Sequence, residues 1–231
     1  MQLGSSRWPD IEATGRTCLL AVPIGSTEQH GPHLPFDTDT RIALEVTTRL
    51  SVARPHVVVA PALPFGASGE HASFPGTLLL GHVVLADVLM ELIRSARSAF
   101  AGVVLVSAHG GNHDGLALLQ ARCRADGEDV LIWAAVAEGG DAHAGRTETS
   151  LMLAIDAGAV RLDLAEAGCR QPLEAILPRL RAEGVRPISS NGVLGDPDGA
   201  SADEGRVLLA GMTDALVAAV DGRWPDLMGA G

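Results

Sequence analysis

Residues 24–39 read Ile-Gly-Ser-Thr-Glu-Gln-His-Gly-Pro-His-Leu-Pro-Phe-Asp-Thr-Asp, which crowds Glu28, His30, His33, Asp37 and Asp39 into one segment. Gly25, Gly31, Pro32 and Pro35 forbid a regular helix there. Imidazoles interleaved with carboxylates, without thiolates, suit Zn, Mn or Fe(II). Two further segments carry the same chemistry: His109-Gly-Gly-Asn-His113, and Glu138 to Ser150 with His143 and Glu148.

Two such ions held close together need a bridging carboxylate, and Asp39 is the natural candidate. Glu28 and His30 alternate, so in an extended loop each can point to a different ion, while His109 and Glu148 come from the other segments. Asp37, Asn112 and Ser107 are available to orient these ligands. His109-Gly-Gly-Asn by itself fits an anion-binding nest at a helix N-terminus equally well. The rest of the constellation decides for metal and leaves the Gly110 and Gly111 amides to help hold an oxyanion. His33 and His113 also fit structural roles. His71 and Arg146 stay open between substrate contact and ordinary solvated positions.

The three segments must be positioned by what precedes them. Thr17 to Ile24, His56 to Ala60, Gly102 to Ala108 and Val130 to Val136 are short apolar runs that read as buried strands. Between them, helices are predicted over Thr40–Val52, Gly81–Phe100 (with Val84, Val88, Leu92 and Ile93 inward) and Asp114–Ala125. An apolar helix follows the third segment, an exposed one covers Pro172–Glu183, and Ser201–Val220 opens with a capping box, Ser201 and Glu204. Alternation of this kind predicts a single α/β domain over residues 1–231, three-layer α/β/α, with a mostly parallel sheet. The carboxyl ends of parallel strands share one edge, so the three segments converge there. Leu63 to Thr77 reads as a long loop rich in Gly, Pro and Ser, of the sort that often carries function.

Composition bounds the chemistry further. A formal net charge of −11 disfavours nucleic acid and anionic membranes as partners. All 17 basic residues are Arg, which excludes a lysine nucleophile or Schiff base. Cys18, Cys123 and Cys169 are too scattered for a disulfide framework or a thiolate zinc site. No apolar run spans a bilayer and no signal-like segment opens the chain, so a cytoplasmic protein is expected.

These residues resemble the creatininase family of paired-metal amidohydrolases. The likeness rests on Glu28-Gln-His-Gly-Pro-His with Asp39, Phe74-Pro-Gly-Thr77, His109-Gly-Gly-Asn112 and His143-Ala-Gly-x-x-Glu-Thr-Ser150. It implies Glu28, Asp39 and His109 around one divalent ion and His30, Asp39 and Glu148 around the other, with His143 as catalytic acid/base. Creatinine-hydrolysing members have Glu where this chain has Gly111, and Glu148 is taken to supply the missing ligand. They also have tryptophans that close over a cyclic ligand, and residues 138–150 contain none. The overall pattern is most similar to the mycofactocin-system branch, peptidases that trim a C-terminal Val-Tyr dipeptide from a modified precursor peptide. That resemblance implies a peptide substrate, attack by a hydroxide held between two Zn, Fe(II) or Mn ions, and a homo-oligomer. A small-molecule amidohydrolase acting on a cyclic amide or formamide is the alternative, and a non-catalytic metal- or phosphate-binding module a third.

Overall fold

Strands that are apolar on both faces need cover on both, and a parallel sheet between two helical layers supplies it. The computed structural model, which describes residues 1–228 apart from 15 and 138, has that architecture. Strands β1 (Leu19–Ile24), β2 (Val57–Val59), β3 (Gly102–Ser107) and β4 (Val130–Ala134) form one parallel sheet in the order β2-β1-β3-β4. The helices are α1 (Trp8–Glu12), α2 (Thr38–Ala53), α3 (His82–Ala96), α4 (His113–Asp126), α5 (Arg146–Asp156), α6 (Leu173–Glu183), α7 (Ala202–Arg223) and α8 (Pro225–Met228).

Alternate residues of each strand feed opposite layers. Leu20, Val22, Ile24, Val103 and Leu105 pack with Leu85, Leu89 and Ile93 of α3 and Leu116 and Leu119 of α4. Leu19, Ala21, Val57, Val104 and Val106 face Ile42, Val46 and Leu50 of α2, Leu151 and Met152 of α5, and Leu209, Leu216 and Val220 of α7. Each fully buried Leu or Ile contributes roughly 1.5–3 kcal/mol. The strand expectations hold to within about two residues, the uncertainty of any element end.

The inward face of α3 differs from the expected one. Leu85, Ala86, Leu89, Met90 and Ile93 are buried, whereas Val84 is 48% and Leu92 41% exposed. Apolar residues occur all round this helix, so spacing alone leaves its rotation open by one position. At the start of α7, Ser201 accepts a hydrogen bond from the Glu204 N–H at 3.2 Å, as the capping box predicts. Its reciprocal half runs through a third residue: Ser201 N–H donates to Ser150 Oγ, which donates to Glu204.

The chain leaves β1 for β2 on one side and returns to β3 on the other. The connections after β1 and β3 therefore diverge and open a crevice at the carboxyl edge. Gly25, just past β1, packs so tightly that a Cβ there would lie 2.4 Å from the Thr40 backbone. A side chain would push the first loop off the start of α2.

Candidate metal centre

Three connections bring their polar side chains into this crevice and bury them. Glu28 and His30 are fully buried, and Asp39, His71, His109 and His143 nearly so. Asp39 enters from the first turn of α2, where Ser26 donates to its Oδ2 at 2.8 Å. Its Oδ1 lies 3.1 Å from His30 Nε2, and its Oδ2 3.1 Å from His109 Nδ1. One carboxylate thus faces two imidazoles through separate oxygens.

The other members gather into three overlapping groups. His109 Nε2 is 3.2 Å from Glu28 Oε2, and His30 Nε2 is 3.8 Å from Glu148 Oε2 at the start of α5. Potential ligand atoms of Glu28, Asp39 and His109 lie within 4.8 Å of one another, as do those of His30, His143 and Glu148 and those of Glu28, His71 and His143. The third loop turns back on itself through Ala144, a buried residue in the left-handed region at φ +52°. Its N–H donates to Glu148 Oε2 at 2.6 Å.

The electrostatics are those of a cation site. Both Glu28 oxygens are buried without a hydrogen-bond partner, an arrangement that is costly unless a cation compensates it. Burial pushes the Glu28 carboxyl up to about 8 and, against the pull of His30, Glu148 to about 7. Burial disfavours charge on His30 and His109 too, yet Asp39 with Glu148 and Glu28 lifts both to about 10. Protons on these two rings stand where a divalent cation would satisfy the same carboxylates. His30 Nδ1–H donates to the Glu28 carbonyl at 3.1 Å, the backbone anchor that fixes the tautomer of a ligating His. The donor set, imidazole and carboxylate without thiolate, fits Zn, Mn or Fe(II).

Several expected residues fall elsewhere. Asp37 pairs with Arg41 at 2.8 Å on the surface, so it does not orient a ligand. His33 donates from Nε2 to Thr149 Oγ1 at 2.9 Å, and exposed His113 contacts Asp114. Arg146 is an exposed partner of Glu204. Asn112 is buried and ties the loops together: its Oδ1 accepts from Ala67 N–H at 2.8 Å and its Nδ2 donates to Gly25 O and Ser107 Oγ. Gly111 fits only as glycine, because a Cβ there would lie 2.4 Å from His109 Nε2 and 2.5 Å from Glu70 Oε1. Sequence reading left His71 open; it is buried 3.3 Å from Glu28 Oε1. Its adjacency to Glu70 and the Phe-Pro-Gly turn was the available signal.

The comparisons agree with this geometry. The family model for creatininase (creatinine amidohydrolase) matches residues 5–220. A mycofactocin precursor peptide peptidase of Mycobacterium ulcerans (strain Agy99) is 44% identical over 231 residues, 96% of this chain and 91% of that protein. A tryptophan-to-phenylalanine mutant of creatininase superposes with a TM-score of 0.79 at 25% identity, covering 97% of this chain and 99% of that one. A creatininase described as of Zn-Zn type gives a TM-score of 0.79 at 24% identity over 97% and 98% of the chains, and an Mn creatininase 0.78 at 24% over the same shares. Fold, buried donor set and a family match spanning nearly the whole chain meet in one conclusion: the chain belongs to the creatininase family.

Proposed function

We propose that this hydrolase of C–N bonds is a metal-dependent peptidase that removes the C-terminal Val-Tyr dipeptide from the modified mycofactocin precursor peptide. The observation that carries the reading is the 44% identity along 96% of the chain to a mycofactocin precursor peptide peptidase. The buried, cation-demanding cluster supports the chemistry. Residues 1–231 act as one catalytic domain. No helix among the described residues is long and apolar enough to cross a membrane, in keeping with a cytoplasmic enzyme. Exposed Phe65, Leu78, Leu79, Val83 and Val84 support assembly as a homo-oligomer.

Glu28, Asp39 and His109 would hold one divalent ion, and His30, Asp39 and Glu148 the other. Zn, Mn or Fe(II) so held would lower the pKa of water from about 15.7 towards about 7 and polarise the scissile carbonyl. Asp39 keeps the two sets in register through its two oxygens. His143, buried against Glu28 and His30 and held neutral by burial and by its charged neighbours, carries the proton to the departing amine. A Cβ on Gly110 would meet nothing within 4 Å, so its backbone borders open space, and the Gly110 amide, with that of Gly111 beside it, would help hold an oxyanion.

Mass spectrometry of the metal-loaded protein with the modified peptide and, separately, with creatinine tests the reading. Free Val-Tyr and a peptide shortened by two residues are expected. Turnover of creatinine with the peptide left intact would assign the small-molecule alternative, and no product from either would leave a non-catalytic binding module.

A further inference from the structure

Gln29 lies between two of the proposed ligands and is nearly as buried as they are, at 6% exposure. Its amide is oriented by two backbone groups whose polarity is not in question. Gly31 N–H donates to Oε1 at 2.9 Å, and Nε2 donates to Gly192 O at 3.1 Å. Gly192, at φ +85°, closes this pocket: a Cβ there would lie 1.8 Å from Gln29 Oε1. The amide can therefore be assigned one way round.

Gln29 dictates the protons on two histidines, on His143 through its backbone and on His71 through its oriented amide. His143 Nε2 sits 2.9 Å from the backbone carbonyl oxygen of Gln29, which only accepts, so Nε2 carries the hydrogen and Nδ1 of the neutral ring is a lone pair. The Gln29 amide has two hydrogens. His143 Nε2, 3.1 Å from the amide nitrogen, already carries a hydrogen and takes none; one amide hydrogen goes to Gly192 O, and the other points to His71 Nδ1 at 2.8 Å, which must accept it. The proton of neutral His71 is then on Nε2, 3.3 Å from Glu28 Oε1, while the His143 Nδ1 lone pair lies 3.7 Å from the same oxygen. Glu28, His71 and His143 are close enough to hold a cation together, yet these tautomers divide them.

We propose that Gln29 is a positioning residue that fixes the tautomer of His71 through its side-chain amide and that of His143 through its backbone carbonyl, so that His71 turns its protonated nitrogen and His143 a lone pair towards Glu28. His71 then faces Glu28 with a proton where a ligand would need a lone pair, so it is not a metal ligand, and His143 is poised to accept a proton before delivering it. The catalytic meaning of this arrangement rests on the hydrolase reading above; the tautomers do not.

Long-range ¹H–¹⁵N NMR of the uniformly labelled, metal-free protein reads both rings directly, with Nε2–H expected on His71 and on His143. Gln29→Glu replaces the donor to His71 with an acceptor, and the His71 proton is expected to move to Nδ1. In a zinc titration, His71→Gln is expected to keep both equivalents of metal, with affinity reduced by no more than about 10–100-fold. An Nδ1–H tautomer for His71 in the wild type, an unchanged His71 ring in Gln29→Glu, or loss of one zinc equivalent in His71→Gln would each overturn the proposal. If Gln29→Glu does not fold, the wild-type tautomers decide. Wild-type protein with the expected tautomers that releases no Val-Tyr would sink the peptidase reading and leave the Gln29 assignment standing.

Discussion

Acids and bases meet in two regions of this molecule under opposite rules. On the surface, guanidinium groups pair with carboxylates: Arg94 with Glu91 and Asp126 at 2.9 and 2.8 Å, Arg49 with Glu45 at 2.7 Å. In the crevice, four buried histidines face Glu28, Asp39 and Glu148, and none of the 17 arginines enters. A guanidinium holds its proton permanently and offers no lone pair, so it can neutralise a carboxylate but never share it with a cation. An imidazole can give up its proton and become a ligand. The choice of base separates pairs that end in themselves from a cluster whose members can hold an ion.

Breaking the cluster at its shared member should have the largest effect. Asp39→Ala is expected to abolish hydrolysis and reduce bound metal, measured by elemental analysis, from two equivalents to at most one. Chelation of the wild type should reproduce the loss of activity while circular dichroism still reports a folded protein. Restoring metal to 100 times its Kd should stabilise the fold by about 2.7 kcal/mol. Retention of two metals and full turnover by Asp39→Ala would remove the bridge from the scheme.

His143→Ala sharpens the contrast from inside the crevice, since this ring is proposed to move a proton without being needed to hold a cation. Turnover should fall about 10²-fold to 10⁴-fold with the metal content unchanged. Loss of both metals, with the remaining turnover per metal unaltered, would reassign His143 as a ligand. The smallest effect belongs to the surface. Arg94→Ala should leave the denaturation midpoint almost unchanged, and still less affected at high salt, because an exposed pair is screened by solvent and ions. A loss as large as that from a buried pair would erase the distinction.

The sheet was legible because strands covered on both faces must be almost wholly apolar, as β1 is throughout and β3 is up to Ser107. The rotation of α3 was not, because Val83, Val84 and Leu92 make its exposed side apolar as well. In the site, spacing placed Glu28, His30, Asp39, His109, His143 and Glu148 on converging loops, and all six lie in the crevice. Asp37 and Asp39 looked alike in the sequence, being two residues apart. What separates them is the first turn of α2, which aims Asp39 at Ser26 and leaves Asp37 to Arg41. His71 escaped because its environment is assembled across the chain, by Glu28, Gln29 and, through Gln29, Gly192. No local pattern encodes a contact of that range.

Ala144 carries a consequence for anyone who would make this protein more robust. A residue with a Cβ held at φ +52° stores about 1–3 kcal/mol of backbone strain. Its neighbours on either side are His143, whose backbone pairs with Leu194 in both directions, and Gly145, and its own N–H grips Glu148. Glycine would release the strain, but it would also widen the range of angles through which His143 and Glu148 can wander. Consensus or directed-evolution campaigns that reward heat resistance alone would be drawn to this position, and selection for turnover would drive it back.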